Sequence, residues 1–165
     1  MKKKYSFLIF ILLLFVQTSL VESANNQTGI EIGEYAPNFQ LKNLEGKIVN
    51  LTDYKGKNIM LNFWTTWCPP CKKEMLDIQQ ISKEKENSWV VLAVNIDGGN
   101  EAGVREFVQS RKLTFPILLD ERDTVSNQYH ILSIPTTFFI DKNGKIINKA
   151  YTMLTLEEMR EIVKD

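Results

Sequence analysis

The chain has 165 residues, 20 of them basic and 20 acidic, with only two cysteines and one histidine. A formal charge of zero, with no basic cluster beyond the first four residues, argues against a nucleic-acid partner. A structural zinc site wants four ligands, and Cys68, Cys71 and His130 supply at most three.

Met1-Lys2-Lys3-Lys4, the apolar run from Phe7 to Val16 and the polar stretch ending in Ala24 follow the pattern of a secretion signal. The unbroken apolar core is short against the roughly 20 residues of a bilayer span. Val21-x-Ser23 offers a cleavage site, whereas Tyr5 to Val21, counted through its mildly polar residues, nearly suffices for an uncleaved anchor. Both fates stay open, and no cysteine stands near residue 20 to carry a lipid. The expected organisation is a signal peptide or N-terminal membrane anchor over 1–23, a polar linker over 24–34 and one domain over 35–165. That domain, of about 130 residues, is large enough to bury its own core. The protein is expected outside the cytoplasm, anchored at the outer face of the cytoplasmic membrane or secreted.

Phe39 and Leu41 alternate with polar neighbours, Leu44-Glu45-Gly46-Lys47 turns and Ile48 to Leu51 returns, which predicts a hairpin between Ala36 and Leu51. A short connection, Asp53 to Lys57, leads to an apolar strand, Asn58 to Trp64. From Pro69 to about Glu86 there is no glycine, and Met75, Ile78 and Ser82, with Leu76 and Ile81, keep helical spacing. Trp89 to Ile96 is apolar throughout, as suits a central parallel strand buried on both faces. Strand, helix, strand implies a βαβ unit with a right-handed crossover. A turn at Asp97 to Asn100, an amphipathic helix from Glu101 to Arg111, a strand from Phe115 to Leu119 and a short helix from Asp123 to Tyr129 follow. Thr136 to Ile140 and Lys145 to Tyr151, joined by Asp141-Lys142-Asn143-Gly144, read as a second hairpin at the edge of the sheet. Thr155 and Glu158 form a capping box for a last helix.

Cys68 and Cys71 are spaced C-x-x-C where a strand hands over to a helix. The first turn of a helix has unpartnered N–H groups and the positive end of the macrodipole, which favours a thiolate at Cys68. Cys71, one turn on, is placed to close the disulfide. Pro69 and Pro70 fit the first turn, where a missing N–H costs nothing. A redox-active pair is the favoured reading. A purely structural disulfide is weaker, because so small a loop restrains the unfolded chain little. Glu74 lies close to one turn beyond Cys71, within approach of the dithiol, although a glutamate after two lysines is usually solvated. Pro135 reads by base rate as an ordinary trans proline. His130 reads as a loop or packing residue rather than a catalytic base.

The run Phe63-Trp64-Thr65-Thr66-Trp67-Cys68-Pro69-Pro70-Cys71, with Ile134-Pro135-Thr136 further on, resembles the thioredoxin superfamily. Within it, residues from about 34 onward are most similar to the extracytoplasmic ResA/TlpA/StoA-type thioredoxins. Pro37-Asn38-Phe39 resembles the opening of that group and of peroxiredoxins, and the segment around Glu101 to Arg111 resembles its central insert. The resemblance implies a thioredoxin-like α/β fold, with a mixed central sheet flanked by helices on both faces, an N-terminal hairpin and a βα-type insert. It implies a cis Ile134–Pro135 bond beside the cysteines. Trp67, Pro69, Pro70, Ile134, Pro135 and Thr136 would then frame a groove for an extended substrate. It also implies a glutamate near the site at the Glu74 position. Ordinary thioredoxins carry a buried, proton-handling aspartate where this chain has Asn62, so Glu74 is the carboxylate left to do that work. No cofactor is required. The implied partners are disulfide-containing exported proteins, such as apocytochrome c or spore-envelope proteins, and a membrane electron donor of the CcdA/DsbD type. A monomer is the default. The implied activity is that of a reductase. A disulfide-forming oxidase, a non-catalytic binding module and a peroxidase remain as alternatives; the peroxidase is the weakest, because no separate peroxidatic cysteine exists.

Overall fold

In the computed structural model, residues 27–85 and 88–164 are described, so the expected signal or anchor at 1–23 lies outside them. The elements in chain order are β1 (Gln40–Asn43), β2 (Ile48–Asn50), a short 3₁₀ turn (Leu51–Tyr54), β3 (Asn58–Trp64), α1 (Pro69–Glu84), β4 (Trp89–Asn95) and α2 (Glu101–Arg111). They continue through β5 (Ile117–Leu119), α3 (Thr124–Gln128), β6 (Thr136–Ile140), β7 (Ile146–Ala150) and α4 (Leu156–Ile162). The strands form one sheet in the order β2-β1-β5-β4-β3-β6-β7.

β3 is the centre of this sheet. Six of its seven residues are buried, as its apolar sequence demands of a strand covered on both sides. It runs parallel to β4 from Asn58↔Trp89 to Trp64↔Asn95, and β4 runs parallel to β5, so both helical crossovers connect parallel neighbours. The two hairpins close the sheet: β1 joins β5 on one side, β6 joins β3 on the other, both antiparallel. The outcome is the mixed, helix-flanked sheet that the sequence predicted.

Helices cover the two faces unevenly. Met75, Ile78 and Ile81 of α1, Val104 of α2, and Met159 with Val163 at the end of α4 bury one face together with Met60, Trp64, Val91 and Ala93. The other face holds Phe63, Leu92, Val94, Phe138, Val125 and Tyr129; among the described residues its one α-helix is the five-residue α3, supplemented by Phe39 before β1 and Leu51 of the 3₁₀ turn. Leu76, placed by spacing among the apolar residues of α1, is instead 49% exposed, while Gln79 is buried and binds Thr114 through both ends of its amide. Arg160 of α4 pairs with Glu84 at 2.7 Å and ties the two long-face helices together.

Small differences from the predicted elements have local causes. The strand expected from Phe115 begins at Ile117, because Pro116 has no N–H for the ladder, although its carbonyl accepts from Ala93 N at 3.0 Å. The predicted linker is a larger departure. Residues 27–34, its described part, are held on the domain: Gly33 N donates to the Ile146 carbonyl at 2.8 Å, Ile146 N donates back to Glu34 at 2.9 Å, and Lys149 pairs with Glu31 at 2.7 Å. This segment thus satisfies part of the outer edge of β7 that would otherwise face water.

Candidate active site

The cysteine pair stands at the C-terminal end of the central strand. Cys68 is the N-cap of α1, and its extended backbone (φ −78°, ψ 113°) lets the chain turn into the helix. Pro69 and Pro70 fill the first turn, where no N–H is missed. Cys68 and Cys71 form a disulfide with Cα atoms 5.3 Å apart, and Cys71 N donates to Cys68 Sγ at 3.2 Å. The helix therefore points an N–H at the sulfur that must carry negative charge once the bond opens. Both cysteines are buried, at 3% and 0% exposure, so neither is freely open to solvent in this state.

The loop from Ile131 to Pro135 closes over them. Ile134–Pro135 is the cis peptide bond among the described residues, as the family resemblance implied. The Ile134 carbonyl oxygen lies 3.9 Å from Cys68 Sγ, which brings the two distant motifs into one site. Pro69, Pro70 and Trp67 are exposed on the rim, with Trp67 at 67%. Ile134 is half-buried, and Pro135 is buried. Thr136 differs from the other predicted groove residues: its side chain is buried and its hydroxyl donates to the Ser133 carbonyl at 2.8 Å, so only its backbone is left to frame a groove. Leu132, two residues before Ile134, is 97% exposed and was not singled out from the sequence.

Glu74 is wholly buried, in contrast with the solvated reading that its two preceding lysines suggest. Its Oε1 accepts from Leu154 N at 2.9 Å, and its Oε2 accepts from Asn62 Nδ2 at 3.2 Å; the same Nδ2 donates to Thr137 Oγ1 at 2.9 Å. Burial is the main cause that raises the carboxyl to about 7; the two hydrogen bonds oppose that rise, and the Asp77 charge adds a little to it. Glu74 and Cys71 are three apart on one buried face of α1, which puts their Cβ atoms about 5–6 Å apart. Asn62 thus stands beside the acid as its partner, where the sequence comparison had treated it only as a missing aspartate.

Asp97 is a second residue that sequence reasoning missed. Both of its carboxylate oxygens accept from Thr66 N, at 3.0 and 3.1 Å, and pin the loop that leads into Cys68. The available signal was its place just beyond β4, since parallel neighbours β3 and β4 end side by side. His130 sits exposed in the loop with φ 49°, its N–H donating to the Asn127 carbonyl at 3.1 Å. Among the described residues no three His, Cys, Asp or Glu side chains come together as metal ligands.

A short disulfide at a helix N-terminus stabilises the fold little, but it is well placed to open and close, and a buried carboxyl poised near neutrality beside it can follow the protons of that cycle. With this sheet around it, the chain is a thioredoxin-fold thiol–disulfide oxidoreductase. It belongs to the AhpC/TSA family, whose pattern matches residues 32–149. It is 39% identical over 157 residues to the thiol-disulfide oxidoreductase ResA of Geobacillus thermodenitrificans, covering 93% of this chain and 90% of that protein. The thioredoxin-like protein YneN of Bacillus subtilis is 39% identical over 140 residues, covering 84% and 82%. Among solved structures, StoA of Bacillus subtilis superposes with a TM-score of 0.68 at 34% identity, over 78% of this chain and 97% of that one.

Proposed function

We propose that the protein reduces disulfides in proteins outside the cytoplasm, through the Cys68–Cys71 pair. The observation that carries this reading is the contact of Cys68 Sγ with the Ile134 carbonyl beneath an exposed rim, which gives an extended partner chain one sulfur to meet. The name of the ResA relatives, thiol-disulfide oxidoreductase, supports dithiol–disulfide exchange at this pair. In the cycle, reduced Cys68 attacks a partner disulfide as a thiolate, and one partner sulfur leaves with the bonding electron pair. Cys71 then attacks Cys68: the Cys68–Cys71 bond forms, the bond to the partner breaks, and the second partner sulfur leaves with its electron pair and takes a proton from solvent. The Cys71 thiol proton passes to Glu74. The partner gains two electrons and the enzyme is left as the disulfide seen here. Trp67, Pro69, Pro70, Ile134, Pro135 and the Thr136 backbone line the groove in this reading.

Regeneration requires a thiol donor from the membrane, of the CcdA/DsbD type. The substrates by this reading are apocytochrome c or spore-envelope proteins, and a deletion scored for both holocytochrome c and spore heat resistance separates the two. Export rests on the basic start and apolar run at 7–16. Among the described residues no helix is long and apolar enough to cross a membrane.

The deciding experiment is the equilibrium of Cys68–Cys71 with a thiol redox buffer. A potential at or below roughly −230 mV supports a reductant, and one near roughly −120 mV makes the protein a disulfide-forming oxidase. Replacing both cysteines with serine separates either enzyme from a binding module, since only a module survives the change.

A further inference from the structure

The amide of Asn62 has an asymmetry that bears on the proton at Glu74. Its Nδ2 donates twice, to Glu74 Oε2 and Thr137 Oγ1, while its Oδ1 is buried with no partner. That arrangement suits a carboxylate, which accepts only. Once Glu74 takes a proton on Oε2, an O–H faces an N–H and the contact becomes donor against donor. A half-turn of the amide about its last bond resolves the conflict. Oδ1 then accepts from the Glu74 O–H and from the Thr137 hydroxyl, which rotates from acceptor to donor, and the exchange swaps two groups of nearly equal size. Leu154 N keeps its bond to Oε1 throughout.

We propose that Asn62 is the positioning residue for the Glu74 proton, offering Nδ2 to the carboxylate and Oδ1 to the acid, so that Glu74 keeps one place through both halves of the redox cycle. This rests on the dithiol reading above and adds to it the residue that couples the two charge states. The surroundings leave the amide as the responsive group. β3 and β6 present Asn62 and Thr137, which do not titrate; α1 presents Asp77 as the nearby charge and, once the disulfide opens, the Cys71 thiol. α4 presents Met159, while its Glu158 is taken up by Thr155 and its Arg160 by Glu84 and Glu157. An aspartate at 62 would set two carboxylates against each other, and a leucine would offer neither donor nor acceptor.

The test is the pH profile of Cys68 alkylation by iodoacetamide in the reduced full chain, for wild type, Asn62→Leu and Asn62→Ser, each with Glu74 intact and with Glu74→Gln. Asn62→Leu withdraws a donor from the carboxylate and moves the step assigned to Glu74 upward by about one pH unit. Asn62→Ser, whose hydroxyl can donate or accept, restores part of it, and neither changes the profile in the Glu74→Gln background. A shift of equal size in that background overturns the proposal. A second reading needs no variant at 62: the side-chain amide NMR signals of Asn62 in the wild-type chain follow the Glu74 titration and stay still in Glu74→Gln. Amide signals that ignore pH in a protein active in exchange overturn this proposal alone. Amide signals that follow Glu74 in a protein inactive in exchange uphold it and remove the function proposed for the dithiol.

Discussion

The two faces of the sheet are built on opposite principles. On one, Phe63, Tyr129 and Phe138 meet with ring centroids 5.3 to 6.2 Å apart, and the one polar atom among them, the Tyr129 hydroxyl, donates to the Pro37 carbonyl at 2.6 Å. On the other lie the disulfide, buried Glu74 and, among the described residues, four of the five buried side-chain atoms without a partner: Asn62 Oδ1, Trp64 Nε1, Trp89 Nε1 and Asn95 Nδ2. An unsatisfied buried polar atom costs about 1–3 kcal/mol. The aromatic face therefore stabilises, and the dithiol face carries buried polar atoms whose missing partners cost stability.

This contrast is broken most severely from the aromatic side. Phe138→Ala removes a wholly buried ring that touches both Phe63 and Tyr129, and should lower the unfolding free energy by about 3–5 kcal/mol in urea titration. The redox potential should stay unchanged, because the ring lies across the sheet from the cysteines. A shift in potential comparable to the stability loss would mean that the two faces are not independent.

Next in size is Glu74→Gln, and its effect depends on pH. The folded carboxyl is raised from 4.5 to about 7, so between those values the native state holds a proton that the unfolded chain has released. Stability must fall as pH rises through that window, and the whole penalty, up to about 3 kcal/mol, is present above pH 7. Glutamine has no such window. Relative to wild type, the variant should gain most of that amount between pH 4 and pH 8, measured on the oxidised protein so that no thiol titrates. A difference between the two proteins that is flat with pH would show that Glu74 stays charged in the fold.

Tyr129→Phe tests whether the aromatic face tolerates one lost bond. The ring stays, the Pro37 carbonyl loses its donor, and a cost of about 1–2 kcal/mol is expected by denaturant titration at any pH between 5 and 8. Burial holds the Tyr129 hydroxyl well above its usual range, so no pH dependence should enter.

Most of the aromatic face was legible before the structure, because strand alternation places Phe63 and Phe138 without reference to anything distant. The same alternation puts Met60, Asn62 and Trp64 on one side of β3, so the nearness of Asn62 to the helix carrying Glu74 was available from the pattern. What could not be read was Leu154, 80 residues from Glu74, since a backbone N–H leaves no mark in a sequence. The docking of residues 27–34 was hidden for a related reason. Polar, glycine-bearing composition predicts a linker, yet that segment is held mainly by main-chain bonds to β7, which composition does not encode. Thr136 shows the limit of motif reading: the resemblance assigned it to the groove but said nothing of a hydroxyl turned inward to Ser133.

The smallest effect sits where the polar face meets α4. Thr155 Oγ1 accepts from Glu158 N at 3.3 Å, and Glu158 Oε2 accepts in return from Thr155 N at 2.8 Å, the predicted capping box. Thr155→Ala should cost about 1 kcal/mol, the usual worth of such a cap. Because Leu154 N, the donor to Glu74, immediately precedes the cap, the loss should also loosen that donor and move the Glu74 titration upward, which Tyr129→Phe across the sheet should not do. A Thr155→Ala protein that loses stability with an unmoved Glu74 titration would mean that the Leu154 bond is held by α1 rather than by the start of α4.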